Sequence, residues 1–506
     1  MGMEERIPVP HGTRILRGAL SGLILNILGY GFLFVGQIII PRVLSRTDYA
    51  SFTVSISFVA IMALFADLGM NQMLTRLFAE AEEHAISGHL DRRGLLLGSA
   101  LTIRIVASAF VAIAVFLIAP QIYVPDVAHC IIVLLLSLII SSRILIVRYV
   151  GESFLRGQGK YYLAASFALL DAMVFAGLLL YSASGTLTLT KAIWIYTLSN
   201  LPGFFLTAGV IYVWMNRNHI RLGISFELCR TLLRTAVPLF FGTAFSIIHN
   251  EADKLLLDKL STPFEVSGYG ATIRLLSAAA PLPLVLAAVT APEVTRLLMR
   301  NDMERTRKLT GLALRLLLTI AGAIALFITV AHEEMIVLIL GSKYASASSL
   351  LTISAWMLMP FFLAWYMCEI SIAAGKFRTW TFYNAIIMLL VIAGDFILIP
   401  NYGAAGAMFS KLTAIGVGCG VVIYMQRHAQ YLDAKEAILS LFRVFLSVIV
   451  PLFVFVALRL LHWNVWIEGG IILLIFFSMI HTTRLISVQD TIGFVKRIRG
   501  NQEVGV

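Results

Sequence analysis

Apolar runs bounded by polar residues or by Gly and Pro recur near 18–42, 48–74, 94–118, 127–149, 161–182, 191–215, 232–257, 264–294, 309–331, 347–373, 379–400, 404–425, 437–460 and 465–483. About 20 helical residues cross the roughly 30 Å of bilayer hydrocarbon, so the pattern predicts fourteen spanning helices. Several runs are longer than this, which implies tilt or extension into water. The predicted fold class is an all-α integral membrane protein. No connection exceeds about 20 residues, leaving no room for a soluble domain on either side.

One stretch departs from the pattern. Residues 247–276 read IIHNEADKLLLDKLSTPFEVSGYGATIRLL, with charge set between two long apolar segments. A charged side chain deep in hydrocarbon costs roughly 2.5–3.5 kcal/mol on insertion scales, so Glu251, Asp253, Lys254 and Arg274 must face protein or water rather than lipid. A hydrophilic cavity is expected here.

Composition supports the membrane reading: 59% of residues are hydrophobic, 13% are charged, and the mean hydropathy is +0.89. The first residues are polar and mildly basic, and the run after them shows no small-residue cleavage site, so an uncleaved spanning helix is expected rather than a signal peptide. Lys and Arg number 39 against 28 Asp and Glu, an excess of 11. These cations are concentrated on the connections sharing a side with the N-terminus, among them Arg6, Arg14, Arg17, Arg92, Arg93, Arg156, Arg300, Arg305, Arg307, Lys376, Arg484, Lys496, Arg497 and Arg499. Short cytoplasmic loops retain Lys and Arg, so both termini should be cytoplasmic, as an even helix count requires. The excess thus reads as orientation in the inner membrane rather than nucleic-acid binding. Trp194, Trp214, Trp380, Trp463 and Trp466 fall near helix ends, where amphipathic rings favour the interface.

Several chemistries are not supported. Cys130, Cys229, Cys368 and Cys419 are far apart and lack metal-ligand or disulfide spacing. RGQGK at Arg156 lacks the full phosphate-loop spacing, and HEEM at His332 lacks a second His. No metal, cofactor or catalytic residue is expected, and the chain reads as a transporter rather than an enzyme.

A weak internal repeat is visible. LRGALSGLIL at Leu16 resembles LRTAVPLFFG at Leu233, TDYASFTVSISFV at Thr47 resembles SGYGATIRLLSAA at Ser267, and GKYYLAASFALLDA at Gly159 resembles GKFRTWTFYNAIIM at Gly375. Matching segments lie about 216 to 220 residues apart, each after an even number of helices, so the halves share one orientation about an axis along the membrane normal. The expected organisation is an N-terminal lobe over 1–225, a C-terminal lobe over 226–430, and two extra helices with a basic cytoplasmic tail over 431–506.

With the repeat in place, the order and spacing of several motifs resemble a known group. These are ADLGMNQMLTR at Ala66, ADKLLLDK…VSGYGATIRL at Ala252, LILGSKYASASSLLTI at Leu338, AAGKFR at Ala373 and LIPNYGAAGAMFSKL at Leu398. The group is the polysaccharide exporter and O-antigen flippase family of the multidrug/oligosaccharidyl-lipid/polysaccharide exporter superfamily. The resemblance implies two six-helix lobes in a V around a central cavity, working by alternating access. It also implies a substrate, a polyprenyl-pyrophosphate-linked oligosaccharide, and partners among membrane lipids, a polysaccharide polymerase and glycosyltransferases. The two extra helices resemble the arrangement of the peptidoglycan lipid flippases of the same superfamily.

A diphosphate leaving water needs cations with several donors, and the planar fork of Arg matches phosphate oxygens. Arg104, Arg143 and Arg274 are the deepest cations in the predicted helices and the candidates for headgroup binding. Arg274 leads because it resembles the family's cationic residue on that helix. The blander account of each is pairing with a buried carboxylate such as Asp171 or Glu251. Glu251, Asp253, Asp171 and Asp395 are the candidates for coupling to a proton or cation gradient. Spacing places Asn250, Lys254 and Asp258 on one helix face, favouring a Lys254–Asp258 pair near the outer interface. Asp67 is expected at a solvated helix end, and Arg148, Glu152 and Arg156 as a helix-stabilising ladder. Two rival functions remain: a drug/cation antiporter of the same superfamily, which needs an apolar or acidic cavity, and a membrane-embedded polysaccharide polymerase, which needs a long outer loop.

Overall fold

Lipid offers no hydrogen bonds, so segments this apolar must satisfy their backbone internally. Among the described residues all regular structure is accordingly helical. The computed structural model describes residues 11–87, 91–427, 434–459 and 464–483. Arg6, Trp463 and the basic tail from Arg484 through Arg499 lie outside the described residues, as do the side chains of Arg14 and Arg17.

The chain divides into two compact units, Met1–Asp258 and Lys259–Val506. The first holds α1 (His11–Val43), α2 (Arg46–Asp67), α3 (Asn71–Ile86), α4 (Arg93–Ile122), α5 (Pro125–Leu134), α6 (Ser137–Ile140), α7 (Val147–Gly157), α8 (Tyr161–Ala183), α9 (Leu189–Leu198), α10 (Leu201–Arg217) and nearly all of α11 (Phe226–Leu260). The second holds α12 (Pro263–Leu276), α13 (Pro281–Met299), α14 (Met303–Leu340), α15 (Ser348–Trp356), α16 (Leu358–Ala373), α17 (Phe377–Gln426), α18 (Ala434–Arg459) and α19 (Val465–Thr482). This division and the 225/226 boundary read from the sequence differ by the length of α11.

Eleven helices among the described residues are long and apolar enough to cross a membrane, or twelve if the pair bent by 40° over 342–373 is one span. The fourteen expected segments do not appear as fourteen uninterrupted helices, for local reasons. The 379–400 and 404–425 runs are both helical, and α17 folds back on itself between them at Gly403, whose φ of 53° and ψ of −132° suit only glycine; Ser410 Oγ donates to Val391 O across the hairpin at 3.0 Å. The 127–149 run is broken into α5, α6 and α7, with a non-helical stretch after Ile140 in which Leu145 takes a φ of 61°. The 191–215 run breaks between α9 and α10, ahead of Pro202, which has no backbone donor.

The internal repeat shows in matching local structure. Gly159, at φ 73°, closes α7, with Lys160 N–H donating to Leu155 O. Gly375, 216 residues on and at φ 75°, closes α16 in the same way, with Lys376 N–H donating to Ser371 O. The starts of α2 and α12 also match, since Ser45 Oγ accepts from Asp48 N–H as Thr262 Oγ1 does from Glu265 N–H.

The last two helices pack on α14. Arg315 pairs with Glu436 at 3.4 Å, and Phe327 meets Trp466 at 6.2 Å between ring centroids. Gly322 lets Val444 and Phe476 approach closely enough that an added Cβ would sit 3.1 Å from each.

Between α2 and α3 the chain turns through Leu68 and Gly69, both at positive φ. A Cβ at Gly69 would lie 2.5 Å from Phe240 N and 2.6 Å from Ala236 O, both on the backbone of α11. Gly69→Ala therefore meets left-handed strain and a rigid neighbour together. It is expected to lower stability by about 1–3 kcal/mol, measurable as a shift of the unfolding midpoint in detergent.

Candidate functional site

Polar side chains inside apolar helices must find partners, and in the first unit they gather in three places. The largest gathering lies where α5–α6–α7 and α9–α10 are interrupted. Arg148, fully buried on the first turn of α7, holds Asp171 of α8 and has Nε 3.0 Å from Glu152. Its Nη1 also donates to Ile140 O at 3.4 Å and Asn200 O at 3.1 Å. Asp171 accepts in addition from Gly203 N–H at 2.8 Å, and Glu152 from Arg156 at 3.2 Å. Gly203 is required here, because a Cβ would run into the Arg148 guanidinium and the Asp171 carboxylate. The 148/152/156 ladder expected from the spacing is formed, and it is mostly buried and tied to Asp171.

Arg143 sits in the break itself. Its guanidinium stacks over Phe175 and Tyr196, 4.2 and 4.8 Å from the ring centroids. It donates to Tyr196 O at 3.2 Å and Ser199 Oγ at 3.3 Å. Its side chain is partly exposed, and among the described residues it forms no ion pair with a carboxylate.

Arg104 on α4 is fully buried, with Nη2 2.8 Å from Asp67 and 2.9 Å from Asn71 Oδ1. Asp67 therefore is not a solvated helix end. It is buried, and it accepts from Gly69 N–H at 3.2 Å and Asn71 N–H at 3.4 Å while neutralising Arg104. The Arg is committed to that carboxylate, as the blander account of buried cations anticipated.

On α11, Lys254 pairs with Glu251 at 2.6 Å rather than with Asp258, and Glu251 also accepts from Ser57 Oγ of α2 at 2.7 Å. Lys254 is 5% exposed and so does not snorkel to water. The i,i+3 arrangement prevails because Lys254 Nζ also reaches back to Asn250 O at 2.8 Å. Asp253 is fully buried, and its Oδ1 accepts from Lys254 N–H at 2.8 Å.

In the second unit, Arg274 lies in the last turn of α12, beyond the buried stretch Val266–Thr272. It is partly exposed, and among the described residues its guanidinium forms no ion pair. Asp395 is fully buried in α17, as is Lys411 at 5% exposure. At the 216-residue offset the counterpart of Asp171 is Ile387 and that of Asp395 is Leu179, so the two acids share a helix of the repeat but not a position. Among the described residues no group of three or more His, Cys, Asp or Glu side chains is placed to hold a metal ion.

The sequence offered little sign of Ser199, Asn200 or Gly203, which complete the polar centre of the first unit. The available signal was the SNLPG run, whose Asn, Pro and Gly break a hydrophobic segment.

Comparison with known proteins places this architecture. In solved structures the fold matches the lipid II flippase MurJ in an inward closed conformation, with a TM-score of 0.70 and 13% identity over 92% of this chain and 99% of that one. It also matches an inward-facing multidrug resistance MATE family transporter of the MOP superfamily, with a TM-score of 0.63 and 14% identity over 83% of this chain and 99% of that one. The MATE multidrug transporter DinF-BH in complex with R6G gives a TM-score of 0.61 at 13% identity, covering 85% of this chain and 99% of the other. No curated protein sequence matches significantly. The family model described as polysaccharide biosynthesis protein matches residues 15–298, more than half of the chain. The chain is thus a multi-pass membrane protein that belongs to the polysaccharide biosynthesis protein family.

Proposed function

We propose that the protein is a flippase that carries a polyprenyl-pyrophosphate-linked oligosaccharide repeat unit across the cytoplasmic membrane by alternating access. In this reading the lobes are residues 1–225 and 226–430, the helices after 431 are an added element, and both termini are cytoplasmic. The product would pass to a polysaccharide polymerase, and the substrate would come from glycosyltransferases.

The observation that carries the reading is the contrast among buried charges. Asp67, Glu152, Asp171 and Glu251 are all engaged by Arg or Lys, whereas Arg274 and Arg143 form no ion pair among the described residues. Cations left without carboxylates in membrane helices suit an anionic headgroup and disfavour a cationic drug. Arg274 and Arg143 are the residues assigned to the diphosphate, and Arg104, already paired with Asp67, comes after them. Glu251, Asp253, Asp171 and Asp395 remain the positions at which gradient coupling would be sought, Glu251 first because it is partly exposed.

The test is movement of a labelled polyprenyl-diphosphate oligosaccharide in reconstituted vesicles. Arg274→Ala is expected to slow transport about 10- to 100-fold, the loss of one or two hydrogen bonds to a charged group, while Arg274→Lys retains part of the rate. Unchanged transport by Arg274→Ala removes this residue from the site. Failure of the intact protein with several glycans refutes the assignment.

A further inference from the structure

Two helices of the first unit are interrupted side by side. The 141–146 stretch separates α6 from α7, and Ser199–Asn200 separates α9 from α10 in the middle of a 29-residue span. Such breaks free carbonyls that lipid cannot satisfy. Here four carbonyls at the breaks accept from three side chains, Thr197 O and Asn200 O in addition to the backbone N–H of Asn200 and Phe204. Arg148 takes Ile140 O and Asn200 O, Arg143 takes Tyr196 O, and Asn200 Nδ2 takes Tyr196 O at 2.9 Å and Thr197 O at 3.1 Å. Ser141 Oγ and Asn200 Oδ1, 3.3 Å apart, join the two breaks directly.

The repeat shows that a single break does not entail the other. The counterpart of Ser141 is Met357, where α15 and α16 meet at a bend, but the counterpart of Asn200 is Gly416, inside the continuous second half of α17. The second unit thus bends one helix where the first interrupts two. The interruptions in the first also hold Leu145 in the left-handed region, a costly conformation for a branched side chain that the surroundings must enforce.

The two arginines differ in how firmly they are held. Arg148 has two carboxylates and no exposure, so it cannot leave without stranding buried charge. Arg143 has a carbonyl, a hydroxyl and two ring faces, all neutral, and its side chain is partly exposed. Among the described residues the carboxylates paired with Arg148 and Arg156 are Asp171 and Glu152, and with Arg143 beside them this centre carries net positive charge. The ligand chemistry that fits it is an anion with several oxygens.

We propose that the paired breaks form one pivot, with Arg148 as its fixed hub and Arg143 as a releasable clasp that a diphosphate headgroup takes over. Release frees α5–α6 and α9 to swing against α7 and α10. The handover rests on the flippase reading above; the clasp itself does not.

Hydrogen exchange of the full-length protein in lipid nanodiscs separates the two. Without any added lipid, Arg143→Gln and Ser199→Ala should each speed amide exchange across 141–147 and 198–203 by about tenfold, the loss of one charge-assisted hydrogen bond, with the middle of α8 unchanged. Ser199→Ala leaves the arginine in place, so agreement between the variants rules out general misfolding. Adding a polyprenyl diphosphate to the wild type should produce the same opening, with no further change in Arg143→Gln. Wild-type exchange in both variants overturns the clasp. Protection that persists in the wild type with the diphosphate lipid bound overturns the handover. Faster exchange in both variants of a protein that moves no lipid-linked glycan in vesicles supports the clasp and overturns both the handover and the flippase reading.

Discussion

Asp171→Ala is expected to destabilise the first unit by about 3–5 kcal/mol, the usual cost of removing one partner of a buried ion pair. The substitution strands Arg148, which is fully buried between α6, α8 and the break before α10, and it leaves Gly203 N–H without its acceptor. Glu152 remains near Arg148 but must also serve Arg156. Pairing Asp171→Ala with Arg148→Met should recover part of the loss, since an apolar pair leaves no buried charge unanswered. Arg76→Ala is the control. Arg76 and Glu80 are exposed neighbours on α3, with side chains 81% and 47% accessible, and an exposed pair of this kind contributes at most about 0.5 kcal/mol. Denaturation in mixed micelles of the four proteins checks the ordering, and an Asp171→Ala loss no larger than that of Arg76→Ala would refute it.

Arg104→Met should give the next largest loss, about 3 kcal/mol, because it leaves the Asp67 carboxylate buried without its cation. The effect falls below that at Asp171 because Asp67 keeps two backbone donors, Gly69 and Asn71 N–H. Asp67→Asn alone leaves Arg104 facing two neutral amides, that of the substituted side chain and that of Asn71. A double-mutant cycle should therefore give a coupling of about 1–3 kcal/mol between the two positions. A coupling near zero would mean that α2 and α4 are held by apolar packing alone. Apolar packing beside the pair is substantial, since Met70 of the turn and Met73 and Leu74 of α3 share one buried cluster with Leu96, Leu97 and Ala100 of α4.

Hydropathy located the helices well, because lipid forces one period and one length on a spanning segment. It could not foresee that 127–149 and 191–215 would be interrupted, since the residues responsible are polar only in part and their partners are distant in the chain. Arg143 and Ser199 are 56 positions apart, and Arg148 and Asp171 are 23 apart. Charge in the middle of a helix was legible as something needing an answer; which residue answers it was not. Asp67 shows the limit most clearly. Its place beside Leu68 and Gly69 marked a helix end correctly, but a helix end inside a membrane protein need not be wet, and the partner that buries it is Arg104, on another helix. At Lys254 the i,i+4 rule chose Asp258, whereas Glu251 also offered a tie to Ser57 on a neighbouring helix.

The interruption after Ile140 bears on biogenesis as well. As the ribosome delivers α5, α6 and α7, the insertion machinery meets a short apolar piece followed by Arg143, Arg148 and Glu152, a poor substrate for lateral release into lipid on its own. Of the two carboxylates on Arg148, Glu152 comes with α7 but is shared with Arg156, and Asp171 arrives only with α8. The fourth and fifth crossings are therefore best released together as a hairpin, after Asp171 has been synthesised, and a nascent chain truncated ahead of that residue lacks what it needs to stay in the bilayer.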